Sequence, residues 1–118
     1  MTNALVAWRI ANQHGCSPET LDELSKHDDP NVRWHVAQNA NTRPDTLARL
    51  ARDEHVAVRC TVADHPRCPV LAELARDKDT NVQWHVAHNH NTDWQTLVAL
   101  SEHWDEDVSF AALRKLRP

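Results

Sequence analysis

The 118-residue chain has the length of one domain, spanning 1–118. Thirteen Lys and Arg against seventeen Asp and Glu leave a formal net charge of −4, which argues against a protein that coats nucleic acid through bulk positive charge. No apolar run approaches the ~18 residues of a membrane helix, so no membrane association is expected. Met1 to Ile10 has neither the basic start nor the long apolar stretch of a secretory signal. Three cysteines are too few for a disulfide scaffold, and a reducing cytoplasm is the expected setting.

The chain repeats itself. Valines stand at Val6, Val32, Val58, Val82 and Val108, in steps of 26, 26, 24 and 26 residues. Leucine pairs spaced by three stand at Leu21 and Leu24, Leu47 and Leu50, Leu71 and Leu74, and Leu97 and Leu100. The two ladders keep phase over the whole chain. Segments 31–50 and 81–100 agree at twelve of twenty positions.

In chain order, each repeat predicts two short helices. The first repeat holds Val6 and Ala11, and Ser17-Pro18-Glu19 marks its second helix, with serine as cap and proline in the first turn. In the second repeat Asp29 caps a helix that begins at Pro30, and Val32 and Val36 form its buried stripe. Asn39 and Asn41 are expected in the turn that follows, because Asn tolerates left-handed backbone. A second helix begins near Thr42 to Pro44 and carries Leu47, Leu50 and Ala51 on one face. The third repeat is two residues shorter between Ala63 and Leu71, where Pro66 and Pro69 predict a tightened turn. The fourth copies the second, and Asp105-Glu106-Asp107 leads into the last. Ala11, Ala37, Ala63 and Ala87 share one recurring site, where a small side chain lets helices approach closely. None of these helices is long enough to be stable alone. Stacked pairs would share one continuous core.

This pattern resembles the leucine-rich repeat variant family. Val32-Arg33-Trp34-His35-Val36-Ala37-Gln38-Asn39, the Thr42 and Pro44 turn, Leu47 to Ala51 and Asp53 carry the likeness. Val58-Arg59, Val62-Ala63 and Leu71 to Asp77 match it too. The resemblance implies an all-α, right-handed solenoid of about four and a half two-helix repeats of 24–26 residues, some of the helices 3₁₀, similar in outline to HEAT-type repeats. It implies no catalytic residues, because the family's motif residues are structural. Some members carry an N-terminal cysteine cluster for an iron–sulfur centre. This chain starts directly in a repeat and has only Cys16, Cys60 and Cys68, so no cofactor is expected. Gln83 replaces the usual arginine, and Trp94 stands where proline is usual.

Candidate functional residues come from two adjacent repeat positions. Trp8, Trp34 and Trp84 lie two residues after the key valine, about 200° around a helix, and so point away from the valine stripe. They either pack between repeats or form an aromatic ladder on a binding surface; Trp8, in the end repeat, is expected to be the most exposed. Arg9, His35 and His85 follow them and are expected to be solvated. Together they suit a protein or peptide surface, and the leading function is a non-enzymatic binding module, a scaffold or adaptor. A nucleic-acid-binding repeat protein using the same Trp, Arg and His ridge is the alternative, weakened by the acidic links between repeats. Those links are expected to cap helices, with Arg33 and Arg59 bridging to them.

His85, His88 and His90 crowd together, but a third zinc ligand is not compelled. Cys60, His65 and Cys68 match no known zinc spacing, and Asp105-Glu106-Asp107 has no geometry fixed for calcium. No metal and no catalytic group is expected.

Overall fold

A computed structural model describes residues 3–118; Met1 and Thr2 of the expected 1–118 domain lie outside the described residues. Those residues form nine helices and no strand. They are α1 (Ala4–Ala11), α2 (Pro18–Leu24), α3 (Pro30–Gln38), α4 (Pro44–Leu50), α5 (Val56–Asp64), α6 (Leu71–Leu74), α7 (Thr80–His88), α8 (Trp94–Ser101) and α9 (Glu106–Leu116). All nine are α-helices, so the 3₁₀ segments expected from the family resemblance are absent among the described residues.

The caps follow the local sequence. Ser17 Oγ accepts from the Thr20 N–H at 3.2 Å, with Pro18 at the first helical position of α2. Asp29 Oδ1 accepts from the Asn31 N–H at 2.8 Å, ahead of α3. Asp79, Asp93 and Asp105 cap α7, α8 and α9 in the same way. Each carboxylate satisfies N–H groups that the helix leaves unpaired and complements its dipole. Pro66 and Pro69 shorten the third link, and α6 keeps only four residues, with no side-chain cap.

The odd-numbered helices stack in succession: α1 on α3, α3 on α5, α5 on α7 and α7 on α9. The even helices lie beside them; α2, for example, packs on both α1 and α3. The assembly measures 47 × 24 × 18 Å. One apolar core runs along it. Val32, Val36, Val58, Val62, Val82, Val86 and Val108 are buried from the odd helices, with Leu21, Leu47, Leu74 and Leu100 from the even ones. Ala11, Ala37, Ala63 and Ala87 are fully buried, as their shared small size requires. Val6 departs from its series and is 49% exposed, because no described helix precedes α1 to cover it.

Two polar ladders tie consecutive helix pairs together. Asn39 ends α3 in extended backbone, with φ −70° and ψ 130°, and no described non-glycine residue has a positive φ. The expectation that Asn serves left-handed backbone is therefore wrong here. Its side chain is the reason for it. Asn39 Nδ2 donates to Ala11 O and Gln13 O, both at 2.8 Å, and Oδ1 accepts from the Asn41 N–H at 2.9 Å. Asn89 does the same two helix pairs further along, to Ala63 O and His65 O. His65 occupies the matching position between them. Its Nδ1 accepts from the Arg67 N–H at 3.0 Å, so its Nε2 carries the proton and donates to Asn39 O at 2.9 Å.

The second ladder is ionic. Arg33 Nε meets Asp53 Oδ2 at 2.7 Å, and Arg59 Nε meets Asp77 Oδ2 at 2.9 Å. Both pairs are nearly buried. Each guanidinium also donates through Nη1 to two carbonyls of the preceding link, His27 O and Asp28 O for Arg33, Asp53 O and Glu54 O for Arg59. That saturates the buried donors, which is what makes a buried charge tolerable.

Candidate functional site

Trp8, Trp34 and Trp84 sit on α1, α3 and α7 at one repeat position, and the structure answers the packing question differently for each. Trp8 is half-buried, its ring 5.1 Å from that of His35 on the next odd helix. Trp34 is half-buried and meets His35 edge-on at 4.9 Å. Trp84 is the exposed one, at 37%. The expectation that Trp8 would be the most exposed is therefore reversed. The cover comes from the following helix. His35 of the following odd helix lies against Trp8, whereas the residue in that place after Trp84 is Ala111, which has no ring to offer.

His35 and His85 are half-buried, not solvated as expected; Arg9 is exposed. His35 Nδ1 donates to Asn31 O at 2.7 Å. His85 Nδ1 donates to Asp64 Oδ1 of α5 at 2.7 Å and stands edge-on to Trp84 at 5.0 Å. His88 lies over Trp84 with ring centroids 3.7 Å apart, and its Nδ1 donates to Trp84 O at 2.9 Å. With Nδ1 donating in all three, Nε2 of each ring in its neutral form is an acceptor for an incoming N–H. His88 is a member of this site that the repeat position does not reveal. Its signal is the i, i+4 spacing from Trp84.

Five of the six expected residues form two clusters rather than one ridge, and Arg9 stands exposed outside both. Trp8, Trp34 and His35 come together on α1 and α3. Trp84 and His85 come together with His88 on α7. Between them lies α5, which carries Cys60 and Thr61 at the two positions. A groove of about 520 Å³ opens there, lined by Trp34, His35, Gln38, Thr61 and Asp64 among others. Its lining has one carboxylate, Asp64, and no Lys or Arg. A smaller groove of about 360 Å³ touches Trp34 together with Pro30, Asn31 and Val58.

The remaining candidates are engaged elsewhere. His85 and His88 are drawn to Asp64 and Trp84, and His65 bridges to Asn39. No group of three or more His, Cys, Asp or Glu among the described residues is placed to hold a metal ion. Asp105 spends Oδ1 on the Asp107 and Val108 N–H groups. Cys16, Cys60 and Cys68 are free thiols. Burial, reinforced by the Asp79 and Asp64 carboxylates, pushes the Cys60 thiol up to about 11, the opposite of an activated nucleophile. No helix among the described residues is long and apolar enough to cross a membrane. No protein-family model matches the chain, and neither does a curated protein or a solved structure.

Proposed function

We propose that this chain is a right-handed solenoid of two-helix repeats, of the leucine-rich repeat variant type, that works as a non-enzymatic binding module for a protein or peptide. The successive stacking of odd helices and the recurrence of the same side-chain bonds every 24 to 26 residues support the repeat architecture. The partner surface is the face of the odd helices, with Trp8, Arg9, Trp34, His35, Trp84 and His85 as contacts. The observation that carries the reading is an open groove walled by Trp34 and His35 on one side and by Asp64, which holds His85, on the other. Tryptophan supplies contact area with few rotamers to freeze, and the imidazole Nε2 atoms supply acceptors for a peptide backbone.

The groove lining favours a polypeptide over a nucleic-acid strand, because nothing in it neutralises phosphate and Asp64 repels it. The module belongs in the cytoplasm, where three free thiols stay reduced. The test is affinity capture from the native host, comparing the parent chain with Trp84→Ser. Loss of a captured protein with the melting temperature kept supports the reading. Equal capture by both, or capture of nucleic acid that nuclease removes, overturns it.

A further inference from the structure

The last described helix, α9, carries a face that matches itself. Val108, Ala111 and Ala112 turn one side of α9 into the core. The opposite side holds Glu106, Phe110, Leu113 and Arg117, all exposed, at spacings of i, i+4, i+7 and i+11. Those spacings put Glu106, Phe110 and Leu113 in one stripe down the helix, with Arg117 at the cap that closes it. Phe110 is 59% and Leu113 44% exposed.

Two features say what covers this stripe. Leu113 stands at the repeat site that the other odd helices fill with Ala11, Ala37, Ala63 and Ala87, all fully buried. Ala11 is buried although no described helix precedes α1, so the cover at this site comes from the elements that follow it. A leucine there fills the room a further helix of the same kind would need. The face is apolar, yet it is not shaped for another repeat.

The second feature is charge. The stripe begins with an acid, Glu106, and ends with a base, Arg117, and its flanks repeat the order with Asp107 and Arg114. None of the four forms an ion pair among the described residues. Turned end for end, the stripe is its own complement. A two-fold axis passing between Phe110 and Leu113 lays Phe110 on Leu113, and the same register lays Glu106 on Arg117 and brings Asp107 beside Arg114. A parallel alignment would instead set acid against acid and base against base.

We propose that a second copy of this chain docks on this face, α9 against α9 in antiparallel orientation, forming a two-fold dimer. The contact is isologous, so it closes at two chains and does not propagate. An 11-residue helix is about 16 Å long, which places the interface in the small, reversible class. The wider spacing that Leu113 and Phe110 impose is that of an ordinary helix pair packed through its side chains. This surface is separate from the groove on α3 and α5, and it stands or falls independently of the partner-binding reading.

The experiment is sedimentation equilibrium of the full chain from about 1 µM to 1 mM, the affinity range of a weak interface. The parent is expected to pass reversibly from one chain mass to twice that mass and no further. Phe110→Ser removes the dimer while keeping the parent's thermal transition; Leu113→Ser serves as the second apolar variant. Glu106→Arg and Arg117→Glu each weaken the dimer at least tenfold, because each sets like charges together at both ends. An equimolar mixture of those two variants recovers it, since every pair in the mixed dimer is again opposite in sign. A parent that stays at one chain mass throughout overturns the proposal. So does growth beyond two chains, a dimer that survives Phe110→Ser, or a mixture no tighter than its components.

Discussion

His103 donates through Nε2 to Gln83 Oε1 at 2.6 Å, in the place where Arg33 meets Asp53 and Arg59 meets Asp77. The acceptor role of the link residue is kept as well. His103 Nδ1 accepts from the Asp105 N–H at 2.9 Å, as Asp53 Oδ1 accepts from the His55 N–H and Asp77 Oδ1 from the Asp79 N–H. Gln83 meanwhile donates to Ala75 O at 3.1 Å. The loss of arginine in the fourth repeat is thus one half of a paired exchange, from ion pair to neutral hydrogen bond.

The exchange predicts a non-additive mutant cycle. Gln83→Arg alone sets a guanidinium against His103 without a carboxylate and destabilises the chain. His103→Asp alone leaves a half-buried carboxylate facing an amide. The double variant rebuilds the pair of the preceding repeats and recovers most of the loss. Urea titration of the four proteins measures the coupling, expected at about 1–3 kcal/mol. Additive effects would contradict the equivalence of the two bonds.

Asp53→Ala should be among the most damaging single changes at a charged position. It strips the carboxylate from Arg33, whose side chain is only 10% exposed. Removing one partner of a buried pair costs about 3–5 kcal/mol. Glu19→Ala, which breaks an exposed pair with Arg43, should cost less than about 1 kcal/mol. Similar melting temperatures for the two variants would refute the ranking.

Val36→Asp and Val6→Asp should separate sharply, although the two valines stand in the same sequence pattern. Val36 is fully buried, and an unpaired carboxylate there costs several kcal/mol, perceptibly eroding a total stability of about 5–15 kcal/mol. Val6 is half open to water, so Val6→Asp should retain a cooperative transition near the parent's. A Val36→Asp protein melting as the parent does would overturn the assignment of the core.

His65 makes stability depend on pH. Burial holds its folded-state pKa below the ordinary value, with Arg67 adding to the effect and the Asn39 carbonyl opposing it. The unfolded chain therefore takes up the proton first. The His65 contribution is complete above its unfolded pKa of about 6.5 and is lost as pH falls from there through the folded value. His65→Asn installs the residue that Asn39 and Asn89 already use in this place. It should preserve the bridge and flatten the stability profile below about pH 6.5. Parallel profiles for parent and variant would show that His65 contributes nothing to the slope.

The three thiols should resist modification in the folded chain. Cys60 is held up to about 11, and burial raises Cys16 and Cys68 as well. Alkylation near neutral pH should be much slower than in denaturant, where all three react as free cysteine. Native-state labelling of Cys60 at the unfolded rate would contradict its placement.

Much of this was legible in the residues themselves. Ser17-Pro18 and Asp29-Pro30 announce helix starts because capping is local chemistry. The valine and leucine ladders give the helix pairs because a buried face must recur with the helix. The features that escaped depend on neighbours distant in sequence. Gln83 and His103 are twenty residues apart, and His65 reaches Asn39 across twenty-six. The exposure of Val6 and that of Trp84 depend on what the adjoining described helices place beside them. Spacing put Trp34, His35, Trp84 and His85 on one side of their helices. It did not disclose that α5 divides them or that His88 covers Trp84.

The proposed engagement of a partner by the face of α3 and α7 can be followed directly through the five tryptophans. Their indole N–H signals can be followed by two-dimensional NMR as the minimal binding segment of a captured partner is titrated into the labelled chain. The account predicts that the Trp34 and Trp84 signals shift saturably, while those of Trp94 and Trp104, exposed on α8 and in the link before α9, stay in place. Movement of Trp94 and Trp104 with Trp34 and Trp84 unchanged would place the binding surface elsewhere and contradict it.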